Sequence, residues 1–125
     1  YNLDNCLESI KLLTETVEGA IIQLAKKAIR KGRINLTAQQ IDQNEVDLSG
    51  VIDCLGARMY AQSLQTQIID KNLRHKLHDF RNTRNLSQHW KTAVKRREIE
   101  NQFPEAVQTG IRLLRKLVAL TARVK

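Results

Sequence analysis

One proline and five glycines in 125 residues leave few places to turn, which disfavours the many short strands of a sandwich or barrel. Aromatic residues make up only 4%, so Leu, Ile, Val and Ala must fill the interior. Two cysteines, Cys6 and Cys54, are too few for a disulfide scaffold; each lies in an apolar helical pattern and is expected as a small buried thiol. No apolar run is long enough to span a bilayer and no signal peptide is recognisable. An intracellular setting, cytoplasmic or nuclear and away from membranes, is therefore expected. Metalloprotease, Walker A and dinucleotide-binding glycine patterns are absent, so neither a metal nor another cofactor is expected. The chain opens on Tyr1 rather than methionine, which reads as a segment of a longer protein.

What the chain does have is positive charge, unevenly placed. Of its net +8, residues 71–125 carry 14 Lys/Arg against four Asp/Glu, whereas residues 1–70 are slightly acidic. A basic C-terminal half suits a polyanion, whether RNA, DNA or an acidic lipid surface. Hydrophobic residues at 42% are enough to fold one domain spanning residues 1–125.

Apolar periodicity predicts an all-α, four-helix up-and-down bundle. Leu3, Cys6, Ile10, Leu13, Val17, Ile21, Leu24 and Ala28 recur at three- and four-residue steps, with Asp4 as the expected cap and Gly32 as the expected stop. Residues Arg33 to Asp47 read as the main loop, broken by a short turn where Thr37 and Gln40 have capping-box spacing. A second helix is predicted from Ser49 to Asp70, its buried stripe including Met59, Leu64 and Ile68, with Lys71 and Asn72 as stop signals. A third begins near Leu73, and a fourth starts at Pro104 with Val107, Ile111, Leu114, Leu117, Val118 and Val124 on its apolar face.

Chemistry-bearing residues concentrate between Phe80 and Arg97, a stretch holding the only tryptophan and six of the 21 Lys+Arg residues. Leu73, Leu77 and Phe80 form an apolar stripe whose next step is Arg84, a charge at a core-facing position. Arg81, Asn85 and His89 fall at i, i+4 and i+8 on one helical face. Metal-free phosphodiester cleavage needs an acid or base, which His89 supplies, and a phosphate clamp, which Arg84 or Arg81 supplies. Lys91, Lys95, Arg96 and Arg97, with Arg112, Arg115 and Lys116, offer a basic surface nearby. Few aromatics interleave, so backbone contacts, strong salt dependence and weak sequence preference are expected. His75 and His78 lie one turn apart without further ligands in reach and read as a solvated helix face.

The run Arg84-Asn85 with His89 resembles the R-x(4–6)-H motif of the HEPN superfamily, in an all-α context with an aromatic after the histidine and a long closing helix. The resemblance implies a metal-independent endoribonuclease in which Arg84 and His89 of two protomers meet at a dimer interface, Asn85 supporting them. It also implies RNA as ligand, a homodimer, and an antitoxin or further domains of the parent protein as partners. The alternative reading is a non-catalytic basic bundle that binds nucleic acid or mediates protein–protein assembly.

Overall fold

A computed structural model describes residues 3–57, 68–90 and 96–124, and within them the side chains of 5, 8–57, 68–82 and 102–124. The protein is all-α, with no strand among the described residues. Its helices are α1 (Leu3–Arg30), α2 (Ala38–Asp42), α3 (Leu48–Gly56), α4 (Lys71–Trp90) and α5 (Arg96–Arg123). Four of them, α1, α3, α4 and α5, make the bundle.

Helix α1 buries Ile10, Val17, Ile21, Leu24, Ala25 and Ala28 along one face. It stops at Gly32 for a backbone reason. Gly32 takes φ +67°, its N–H donates to Ile29 O at 3.0 Å, and the Arg33 N–H donates back to Ala28 O at 2.8 Å. That double bond pattern satisfies the last carbonyls and favours glycine at the left-handed position. The helix already begins at Leu3, so Asp4 lies in its first turn rather than capping it. The expected turn at Thr37 is present as α2, with both halves of the Thr37–Gln40 capping box formed.

Three boundaries depart from expectation. Helix α3 ends at Gly56, and Ala57 turns extended. The Leu55 carbonyl then accepts from the N–H groups of Ile68 and Ile69 at 3.2 and 3.3 Å, closing the helix end with returning chain. Ile68 is therefore not helical, and Met59 and Leu64 lie outside the described residues. Lys71 and Asn72, expected as stops, open α4, because Asp70 Oδ1 accepts the Leu73 N–H at 2.7 Å as an N-cap. Helix α5 starts eight residues ahead of Pro104, which lies inside it.

Leu13 lies against Gly110, and Lys27 Nζ on α1 donates to the Thr121 carbonyl on α5, so these two helices run alongside in one direction. Phe80 also reaches Gly110, so α4 packs against α5 at the same level. Ile69, Leu73, Leu77, Phe80, Leu113 and Leu117 join the α1 and α3 residues in one core. Helix α5 buries the line Gly110–Leu113–Leu117, whereas Ile111 and Val118 are 39% and 59% exposed.

Gly19 has no structural need to be glycine. It is exposed in mid-α1, and a methyl built on it meets nothing within 4 Å. Gly19→Ala is expected to raise unfolding free energy by about 0.5–1 kcal/mol in denaturant melts. A decrease would mean that this face of α1 is packed against something.

Candidate nucleic-acid interface

Helix α4 presents two polar flanks around its buried line of Leu73, Leu77 and Phe80. The flank carrying Arg74 and His78 turns to α3, where Asp53 waits. Asp53 Oδ1 takes Arg74 Nε at 2.9 Å, Arg74 Nη2 at 2.8 Å and His78 Nε2 at 2.9 Å. Burial alone would raise the Asp53 carboxyl, but hydrogen bonds from His78 and Arg74 and their positive charge outweigh it and hold it below its ordinary 3.8. His78 is thus a cross-helix tether rather than a solvated residue, while the exposed His75 pairs with Asp79 at 3.2 Å. Cys54, half-buried rather than fully so, has its thiol pushed up by burial and by the Asp53 charge, which keeps it protonated and unreactive.

The depressed carboxyl has a pH consequence. A group lowered in the folded state contributes stability above its unfolded value, and that contribution disappears as pH falls through the folded value. The difference in stability between the native chain and Asp53→Asn is therefore expected to shrink as pH falls below the ordinary carboxylate range. Thermal melts of both chains across that range check this. A gap that persists unchanged at the acid end would remove the tether.

The other flank of α4 opens on a groove shared with α5, of about 540 Å³. Three cations border it: Lys76 from α4 and Arg112 and Lys116, one turn apart, from α5. All three are exposed, and none forms an ion pair among the described residues. Asp79 and Glu105 line it too, with Thr109 between Glu105 and Arg112 on the α5 stripe. Leu73, Phe80 and Leu113 make an apolar floor and are 1%, 4% and 4% exposed. The groove thus combines a cationic rim, an apolar floor and hydrogen-bonding groups.

No family model, curated protein or solved structure matches this chain.

The sequence-derived residues distribute unevenly over this geometry. Arg112 and Lys116 border the groove, and Arg115 does not. Arg81 is half-exposed on α4. The positions of Arg84, Asn85 and His89 belong to the unbroken run of α4, and those of Arg96 and Arg97 to the first turn of α5, with their side chains outside the described residues. Lys91 and Lys95 also lie outside the described residues. Because α4 continues to Trp90, Arg84 and His89 stand about 140° apart around its axis. Arg81, Asn85 and His89 occupy positions i+3, i+7 and i+11 from His78 along α4.

Lys76, Asp79 and Glu105 were not marked by sequence reasoning as site residues. A signal for the last of them exists: Glu105, Thr109, Arg112 and Lys116 follow i, i+4, i+7 and i+11, a polar stripe beside an apolar one. Among the described residues no group of three or more His, Cys, Asp or Glu side chains is placed to hold a metal ion, and no helix is long and apolar enough to cross a membrane.

Proposed function

We propose that this chain is an RNA-binding helical domain that takes a single strand along the α4–α5 face. The observation carrying this reading is the convergence of Lys76, Arg112 and Lys116, without ion-pair partners among the described residues, on one groove in the basic half of the chain. Unpaired cations of this kind hold phosphate oxygens and release counterions. A groove of about 540 Å³ between adjacent helices, with an apolar floor, suits one strand with its bases exposed. RNA is favoured over other polyanions by the HEPN-like run Arg84-Asn85 with His89.

Cleavage is a second reading, supported by the spacing of that run. On an unbroken helix Arg84 and His89 diverge, so any shared phosphate would have to be met by the arginine of one protomer and the histidine of another. His89 would then move the proton and Arg84 would hold the charge on the phosphorane, Asn85 orienting the strand.

Both readings are tested by incubating the chain with end-labelled single-stranded RNA in EDTA across a salt series, beside His89→Ala and Arg84→Ala. Binding that weakens steeply with salt supports the first reading, and absence of binding at low salt removes it. Metal-free cleavage lost in both variants with binding kept establishes the second. Intact RNA at all salt concentrations dismisses it.

A further inference from the structure

The α4–α5 groove carries charge of both signs, which a simple backbone clamp does not need. Along α5 the carboxylate of Glu105 comes before the cations Arg112 and Lys116, and along α4 the cation Lys76 comes one turn before Asp79. On α5 the order is Glu105, Thr109, Arg112, Lys116, so the carboxylate and the first guanidinium are seven residues apart, about 10 Å of helical rise. Phe80 and Leu113 belong to its apolar floor. Two carboxylates beside a polyanion site weaken phosphate binding unless they meet something that donates hydrogen bonds.

We infer that this groove reads one base of the bound strand and selects bases that carry an exocyclic amino group over uracil. The inference rests on the RNA-binding reading above. The strand's phosphate sits on Lys76, Arg112 and Lys116, and the flat apolar body of the base covers Phe80 and Leu113. The far edge of the base then faces Asp79 and Glu105. The amino group of adenine or cytosine donates to a carboxylate, as acidic side chains accept from cytosine in groove recognition. Uracil presents a carbonyl where adenine and cytosine present the amino group and sets that oxygen against a carboxylate, leaving only its ring N3–H to donate. Asp79 retains capacity for this role, because its contact with His75 uses Oδ2 and leaves Oδ1 open to a further donor.

The test compares oligo(A), oligo(C) and oligo(U) of equal length by fluorescence anisotropy at one moderate salt concentration. The proteins are the full chain, the Asp79→Ala/Glu105→Ala variant and the Lys76→Ala/Arg112→Ala/Lys116→Ala variant. The full chain is expected to prefer oligo(A) and oligo(C) over oligo(U) by about tenfold. Removing the carboxylates is expected to erase that preference while oligo(U) binding holds or tightens, since only negative charge is lost. That retained oligo(U) binding also shows that the variant is folded. Equal binding of the three oligomers by the full chain overturns base reading and leaves RNA binding standing. A preference that survives in the Asp79→Ala/Glu105→Ala variant overturns it as well. No binding of any oligomer removes the RNA-binding reading, and base reading with it.

Discussion

Alanine at Lys76, Arg112 and Lys116 together is expected to weaken RNA binding by roughly tenfold or more at low salt and to flatten its salt dependence. Each cation engaged with a phosphate on a single strand contributes about 0.7 to the slope of log affinity against log salt, so losing three lowers the slope by about 2. Over a fourfold rise in salt, that difference alone is roughly sixteenfold, which separates these side chains from the diffuse charge of the chain. The three sit on the exposed rim, so folding should be little affected, and circular dichroism of the variant should match the native chain. Arg115 and Arg123 are the controls: both are exposed on α5, and neither lines the groove. Alanine at those two should cost less affinity than at the groove cations. Equal losses would mean that the strand tracks the basic half without using the groove.

The register of α5 shows why the site was only half legible. Arg112 and Lys116 stood out as basic residues near a motif, but a groove needs two helices, and the pairing of α4 with α5 is a tertiary fact. Once Phe80 is set on Gly110, Lys76 and Asp79 must face the α5 stripe of Glu105, Thr109, Arg112 and Lys116. The apolar face of α5 was also read too broadly. Six apolar residues at helical spacing cannot all be buried by two neighbours, and the seam falls on Leu113 and Leu117, leaving Val118 outside.

Helix ends were legible where the side-chain chemistry is local. Thr37 and Gln40 close a capping box through atoms three residues apart, and Gly32 provides the left-handed stop. Asp70 carried the same kind of signal, an aspartate three residues ahead of Leu73, but it was absorbed into a preceding helix that ends at Gly56. Pro104 misled in the opposite direction. Its fixed φ suits a first helical position, and inside a helix a proline loses its own N–H bond and crowds the carbonyl four residues back, yet α5 runs from Arg96 through it. The Asp53 tether joins residues more than twenty positions apart, and one of its partners, His78, reads in sequence with His75 as a solvated helix face.

Gly110→Val is expected to destabilise the chain by about 2 kcal/mol or more, seen as a melting temperature lower by roughly 5–10 °C. At Gly110 the side chains of Leu13 from α1 and Phe80 from α4 both close on α5. A methyl built there would lie 2.5 Å from Leu13 Cδ2 and 2.8 Å from Phe80 Cζ, contacts that real side chains do not make. Valine gains a few tenths of a kcal/mol over glycine in helix propensity, which offsets only a small part of the strain. Relief must come from Leu13 on α1 or Phe80 on α4, and both move with costs that reach the core. Leu13→Ala in the same chain removes the nearer clash and should recover part of the loss, so the two changes will not add. The consequence extends to the groove, because Phe80 is at once the neighbour of Gly110 and the floor against which a base would lie. A variant that stays folded should therefore bind RNA with its salt slope kept but its preference among bases reduced. Native-like stability in Gly110→Val would instead mean that α1, α4 and α5 do not meet at this point, and the groove defined by their packing would go with it.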